Sequence, residues 1–244
     1  MKIGFIGQGY VGKNYADDFE RRGHSVVRYS LEEPYVQNKD KVLDCPIIFI
    51  AVPTPTTPKG PDMSIVREKL SLLKPATIAV IKSTILPGTT STFQQEFPRI
   101  IVLHSPEFLS KATAAEDVRK PFANIVGIPV KSKRHLAAAK KIHALLPKSP
   151  FSHTTTSDES ELIKYAHNVN GYLQILTFNL FYDVAQKLGS DWGAVQKALE
   201  ADPWISNGYI NPVHKTGRGA GGYCFIKDFA AFADHYGEIV GRPE

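Results

Sequence analysis

Lys2-Ile3-Gly4-Phe5-Ile6-Gly7-Gln8-Gly9-Tyr10-Val11-Gly12 decides how this chain folds. Residues 2–6 make a short apolar run of strand length, and an amphipathic helical pattern opens directly after the glycines. In that setting Gly7 permits a tight turn, Gly9 lets the backbone approach a pyrophosphate, and Gly12 lets helix and strand pack closely. The helix N-terminus then faces the phosphates. The glycine spacing alone is a weak signal, but its place between strand and helix makes Gly7, Gly9, Tyr10, Val11 and Gly12 a dinucleotide-binding turn.

Working outward, short β-branched or apolar runs recur at residues 25–29, 47–52, 77–81, 100–103 and 124–128, with helical patterns between them. Strands alternating with helices imply an α/β fold, a Rossmann-type, mainly parallel sheet covered on both faces. The second strand ends in Val27-Arg28-Tyr29-Ser30, where an acid usually meets the adenosine ribose. A serine with an arginine nearby tolerates the extra phosphate of NADP, whereas Glu32 or Glu33 reaches a ribose hydroxyl, so NAD and NADP both stay open here.

The character changes after Pro150. A proline-free helical pattern spans 158–188, opened by Ser157 or Asp158 as cap and closed by Gly189. Its apolar residues, from Leu162 and Ile163 through Leu173 and Leu176 to Leu180 and Val184, cover so much of its circumference that a second subunit is expected to bury part of it. A helix of about 192–200, a Gly/Asn/Pro-rich loop of 201–222 and a last helix of about 227–239 follow. Two domains are expected: a dinucleotide-binding domain at 1–157 and an α-helical catalytic and dimerisation segment at 158–244.

The 244 residues, 43% hydrophobic and 22% charged, exclude a disordered or fibrous class. A net charge of +5 favours anionic partners. The densest basic stretch, Lys131 to Lys141, reads as a solvated helix face without aromatic interleaving or a DNA-reading motif, so no nucleic acid is expected. The two cysteines, Cys45 and Cys224, lie far apart in unlike contexts, which argues against a disulfide framework and for a reducing compartment. The start lacks signal-peptide character and no apolar stretch reaches membrane-spanning length; a cytoplasmic protein without membrane partners or a metal site is expected.

Two further features carry chemistry. Lys164 and Asn168, four apart, share one helix face, where a cation beside an amide can polarise a sugar hydroxyl or stabilise an oxyanion. Cys224 stands in Gly221-Gly222-Tyr223-Cys224-Phe225-Ile226-Lys227-Asp228, at a helix N-terminus beside Lys227, two reasons for a lowered thiol pKa. Cys45, just before an apolar strand, reads as buried and structural.

Together with Val52-Pro53-Thr54-Pro55, Lys82-Ser83-Thr84, Pro87-Gly88-Thr89, Ser105-Pro106-Glu107-Phe108-Leu109 and Glu161-Leu162-Ile163-Lys164-Tyr165, these motifs follow one another along nearly the whole chain. In that order they resemble the UDP-glucose/GDP-mannose dehydrogenase family. The resemblance implies two successive hydride transfers to NAD, turning a primary alcohol into a carboxylate through a Cys224-bound intermediate. It implies that Lys164 and Asn168 stabilise oxyanions, that Asp228 assists proton transfer or holds Lys164, and that Glu107 activates the hydrolytic water. Ser30, Pro53, Thr54, Ser83, Thr84 and Lys227 would join the glycine turn around the cofactor, with Thr84 also at the reacting centre. Glu107, Phe108, Leu109, Lys164, Asn168, Tyr209, Asn211 and Gly221 would line a nucleotide-sugar substrate.

Departures accompany the resemblance. Trp204 stands where the family usually has an arginine that reaches across a dimer, Arg218 is a candidate to replace the missing charge, and Ile226 replaces a usual proline. Family members normally continue into a third domain that grips the substrate nucleotide, whereas this sequence ends at Glu244; a homodimer and a separate protein supplying that domain are the expected partners. Two other readings are weighed: a single-step β-hydroxyacid dehydrogenase, which needs neither Cys224 nor Glu107, and a non-catalytic dinucleotide-binding homologue.

Overall fold

The computed structural model describes residues 1–57, 60–205, 207–214, 217–220 and 223–241. The chain forms two compact units, 1–164 and 165–244, and the boundary falls inside one long helix.

The first unit runs β1 (Lys2–Ile6), α1 (Tyr10–Arg21), β2 (Ser25–Tyr29), α2 (Lys39–Leu43), β3 (Ile47–Ile50), β4 (Thr56–Thr57), β5 (Gly60–Pro61), α3 (Ser64–Ser71), β6 (Ile78–Ile81), α4 (Thr89–Glu96), β7 (Ile101–His104), α5 (Ala114–Arg119), β8 (Ala123–Ile128), α6 (Lys133–Leu145) and β9 (Phe151–Thr156), and takes in the first turns of α7 (Ser157–Leu188). Seven strands form one sheet in the order β2-β1-β3-β6-β7-β8-β9, while β4 and β5 make a separate short hairpin. The pairs from β2 to β7 are parallel, β7 meets β8 antiparallel at His104 and Gly127, and β8 and β9 are parallel. All six expected strands are in this mainly parallel sheet.

Both sheet faces are apolar because helices cover both. Ile3 and Phe5 of β1 point to one face, where Phe5 stacks on Phe49 at 5.0 Å and meets Phe19 of α1 edge-on at 5.3 Å. Ile6, Ile48, Ile50 and Ile81 fill the other with Leu70 of α3 and Phe93 of α4. The chain leaves β1 toward β2 on one side and returns to β3 on the other, so the strand order reverses between β1 and β3. Such a switch point opens a crevice at the carboxyl ends of the strands, where open α/β sheets bind ligands. Residues 7–12 and 51–54 lie there.

Strand β9 is the element the sequence does not announce. Its run Phe-Ser-His-Thr-Thr-Thr sits at the sheet edge with only Thr154 and Thr155 half-buried, so burial imposes no apolar alternation. The start of α7 also differs from expectation. Neither Ser157 nor Asp158 is the cap: Thr156 Oγ1 accepts from the Glu159 amide at 3.3 Å, and the Glu159 carboxylate accepts from the Thr156 amide at 2.8 Å. This reciprocal pair is a capping box, which satisfies two helix-end donors at once.

The second unit holds the rest of α7, α8 (Trp192–Glu200), a 3-10 turn (Asn207–Tyr209), the hairpin β10 (Val213–His214) and β11 (Gly217–Arg218), and α9 (Tyr223–Ile239). Phe178, Ala185, Trp192 and Ile210 form its small core, with Tyr182, Leu199 and Ile205 packed against it. Aromatic pairs join α7 to α9, Tyr165 with Phe232 at 5.9 Å and Tyr172 with Phe229 at 4.8 Å. Gly171 permits their close approach, since a β-carbon there would lie 2.8 Å from the Phe225 ring. Helix α9 starts a turn earlier than its apolar pattern suggests. No helix among the described residues is long and apolar enough to cross a membrane.

Candidate active site

The glycine turn is built as its spacing requires. Gly7 has φ +91°, and a β-carbon there would lie 2.4 Å from the Ala51 carbonyl oxygen; one on Gly12 would lie 1.9 Å from the Gly7 oxygen. Gly9 caps α1, and a β-carbon on it would meet no protein atom within 4 Å, which leaves open space where a phosphate has to approach. No side chain caps α1 and no acidic residue stands in its first turn. The helix end therefore keeps its positive potential for an anion. Tyr10 is partly exposed beside it, and Val11 packs toward the core.

Two loops lie at the next strand ends. Thr54 Oγ1 donates to the Thr84 carbonyl at 2.7 Å, and Ser83 Oγ to the Val52 carbonyl at 2.7 Å, so these hydroxyls lock the loop after β3 to the loop after β6. Pro53 is exposed and Thr84 half-buried. At the end of β2, Ser30 Oγ donates to the Glu32 carbonyl at 2.9 Å. Arg28 is committed elsewhere: its guanidinium, 8% exposed, pairs with Asp17 and with Glu20, each at 2.6 Å. Its charge is balanced by two carboxylates of α1, so it is no ready partner for a 2′-phosphate. The arginine-plus-serine pattern that left NADP open in the sequence thus loses its arginine.

Beyond β7, Glu107 and Lys164 form a buried ion pair at 2.9 Å, and Lys164 Nζ also donates to the Glu107 carbonyl at 2.7 Å. Burial alone pushes the Glu107 carboxyl up, but the Lys164 ammonium and the Leu109 amide, bonded at 2.8 Å, hold it below the usual glutamate range. The Phe108 and Phe122 rings meet at a tilt, 4.9 Å between centroids, with Lys164 Nζ 5.7 Å from the Phe108 ring. Three buried residues of this unit acquire partners that sequence reasoning left unassigned. Glu161 accepts from the amides of Gly88 and Thr90 at 2.7 and 2.8 Å, which ties α7 to the N-terminus of α4. His104 Nδ1 lies 2.8 Å from Ser160 Oγ. Lys82, in the motif but without a role, is 3% exposed and reaches Ser105 and Pro106.

In the second unit Asn168 Nδ2 donates to Asp228 Oδ2 at 2.6 Å, both groups buried, and Lys227 pairs with Asp228 Oδ1. The Asp228 carboxylate is thus held by one neutral and one cationic donor. Cys224 is the second residue of α9, at the positive end of the helix macrodipole; its side chain, and Gly221, lie outside the described residues. Tyr209 meets the Phe225 ring at 5.4 Å, and the exposed Asn211 accepts from the Val213 amide at 3.0 Å. Arg218 pairs with Asp183 at 2.7 Å and lies over the Tyr182 ring. Trp204 is 94% exposed, and Cys45 is buried, as its sequence context implies.

Residues 34–146 match the NAD binding domain, and residues 158–241 the central domain, of the UDP-glucose/GDP-mannose dehydrogenase family. A UDP-glucose 6-dehydrogenase of Haloferax volcanii is 26% identical over 95% of this chain and 64% of its own length. Among solved structures, a UDP-glucose dehydrogenase from Pyrobaculum islandicum superposes with a TM-score of 0.81 at 27% identity, covering 98% of this chain and 64% of that one. The chain thus spans less than two thirds of these relatives. A 3-hydroxyisobutyrate dehydrogenase from Salmonella typhimurium, 15% identical, shares the fold with a TM-score of 0.72 over 100% of this chain and 89% of that one.

Proposed function

Because this chain belongs to the UDP-glucose/GDP-mannose dehydrogenase family, we propose that it oxidises the C6 alcohol of a nucleotide sugar to the carboxylate, UDP-glucose to UDP-glucuronate, with NAD as oxidant. The observation that carries this reading is the pairing of Asp228 with Asn168, since it joins the helix turn four residues after Lys164 to the one four residues after Cys224. The family's NAD-binding domain and the phosphate-ready glycine turn support the cofactor half. Bound NAD accepts the hydrides.

The chain's own residues supply the rest. The substrate hydroxyl gives up its proton as C6 loses the first hydride, and Lys164 and Asn168 stabilise the oxygen as charge develops on it. The Cys224 thiolate adds to the aldehyde carbon, giving a thiohemiacetal; loss of a second hydride and a proton leaves a thioester. Water, activated at Glu107, splits the thioester, releasing the carboxylate and the thiol. Asp228, held by Asn168 and Lys227, moves protons through a water. Each alcohol consumes two NAD and one water. The active form in this reading is a homodimer paired through α7.

The test is to mix the purified protein with UDP-glucose or GDP-mannose and NAD or NADP, following nicotinamide absorbance and product mass. Two reduced cofactors per uronate are expected. One reduced cofactor with an accumulating aldehyde or ketone points instead to the single-step chemistry of the hydroxyacid dehydrogenases. Dinucleotide binding without turnover on any nucleotide sugar points to a non-catalytic homologue.

A further inference from the structure

Lys82 follows β6 directly, its amide bonded to the Ile50 carbonyl at 2.8 Å, and its side chain runs into the interior. Nζ lies 4.1 Å from the centroid of the Tyr15 ring of α1, 3.1 Å from Ser105 Oγ and 3.3 Å from the Pro106 carbonyl oxygen. Among the described residues no carboxylate stands within ion-pairing distance of it. Burying an ammonium in this way is costly, and a methionine would fill the same space without that cost. What the amine does and a methionine cannot is donate to the turn between β7 and Glu107.

We propose that Lys82 is a positioning residue, which holds the Ser105–Pro106 turn and so fixes the Glu107 carboxylate against Lys164. The turn is held from both ends. Its Ser105 amide donates to the Ile81 carbonyl at 2.9 Å, the residue before Lys82, while the Glu107 carbonyl accepts from Lys164 at 2.7 Å. Lys82 supplies the middle, at the two residues that precede Glu107.

Electrostatics work in the same direction. The titratable groups facing Lys82 are Tyr15 of α1, His104 of β7, Glu107 after β7 and Lys164 of α7. Burial pulls the Lys82 amine down to about 7, opposed by Glu107 and assisted by Lys164. Over the acidic range where Glu107 titrates, Lys82 is therefore charged, and its field adds to that of Lys164 in keeping the carboxylate ionised. The role rests on the dehydrogenase reading, in which Glu107 meets the hydrolytic water, but the placement of Glu107 is measurable without turnover.

Lys82→Met keeps the stem and removes donors and charge; Lys82→Arg restores both; Lys82→Leu, which likewise lacks donors and charge, replaces Lys82→Met if that variant does not fold. The Glu107 carboxyl is titrated by carbon NMR in protein labelled at the glutamate carboxyl, assigned with Glu107→Gln. In Lys82→Met its midpoint should rise by about one pH unit, with NAD affinity unchanged. In turnover, kcat should fall by about tenfold to a hundredfold with KM for NAD steady, and the acid limb of the pH profile should move upward. Lys82→Arg should recover part of both. An unshifted Glu107 midpoint in folded Lys82→Met or Lys82→Leu overturns the proposal. If the parent turns over no nucleotide sugar, the dehydrogenase reading falls, and the NMR midpoint alone decides the positioning role.

Discussion

At the scale of single residues, Cys224 bears the heaviest demand, because a two-hydride oxidation needs a group that holds the aldehyde covalently between transfers. Cys224→Ser keeps the size and replaces a readily ionised thiol with a weak alcohol nucleophile, so turnover should drop by on the order of a thousandfold or more. NAD affinity, followed by titration calorimetry, should stay at the parent value; equal turnover in the two proteins removes Cys224 from the reaction. His104 sets a different condition. Burial, with the Lys82 charge behind it, lowers this imidazole to about 3. The unfolded chain takes up a proton near 6.5 that the folded chain refuses until about 3. Stability is therefore complete above the unfolded value and is lost as pH falls toward the folded one, by up to about 1.4 kcal/mol per pH unit from this group. Urea unfolding between pH 7 and pH 4 should show a shallower loss in His104→Gln than in the parent; parallel curves would refute the assignment. The pair Lys164 and Asn168 was legible from its spacing of four, and Cys224 from its place beside Lys227 at a helix start, whereas their roles and that of Asp228 came only with the family resemblance. The partners of Lys82, Glu161 and His104 were not legible, since each lies 23 or more residues away and a buried lysine looks in sequence like any other.

At the scale of elements, legibility followed burial. The strands β1, β3, β6, β7 and β8 lie inside the sheet and show themselves as apolar runs, while the partly exposed edge strand β2 is marked by its β-branched pair Val26-Val27. The edge strand β9 is specified by its backbone pairing to β8, which leaves no mark on a mostly exposed Ser/Thr run. The capping box was overlooked for a related reason: Thr156 ends β9 and also caps α7, so the helix signal sits inside a strand. Thr156→Ala should cost about 1 kcal/mol in chemical denaturation; no change would mean that the reciprocal bonds contribute nothing. A stricter demand falls on the turn between β1 and α1. The atom that a Gly12 β-carbon would strike is the Gly7 carbonyl oxygen, backbone that cannot swing aside as a side chain can. Gly12→Ala should open the turn, weaken NAD binding at least about tenfold and destabilise the fold by about 1–3 kcal/mol. NAD titration by calorimetry with the parent affinity would show that the turn tolerates the methyl group.

At the scale of the whole molecule, the question is what covers α7. Its inward residues Tyr165, Ile175, Phe178 and Ala185 are buried, whereas Leu173, Leu176, Leu180, Phe181, Val184 and Leu188 are exposed. Steps of three and four residues from Leu173 to Leu176, Leu180, Val184 and Leu188 put these five side chains along one continuous stripe. Leu180 and Phe181, which the sequence could not orient, both face outward, at 69% and 58% exposure. A stripe of that kind on a folded protein marks an association surface. A second copy is the simplest partner, since a two-fold axis makes the patch self-complementary and buries both stripes at once. The same symmetry makes the interface sensitive: Leu180→Asp places a carboxylate against apolar surface or against its own copy, and neither arrangement pairs the charge. Light scattering of the parent over a range of concentrations should report twice the 27.0 kDa chain mass. Leu180→Asp should report the single mass while keeping the parent's circular dichroism and NAD affinity, because the first unit carries the glycine turn and does not include residue 180. Loss of turnover in that variant, with NAD still bound, would make pairing through α7 a condition of the reaction; a fully active parent with the mass of one chain would rule the dimer out.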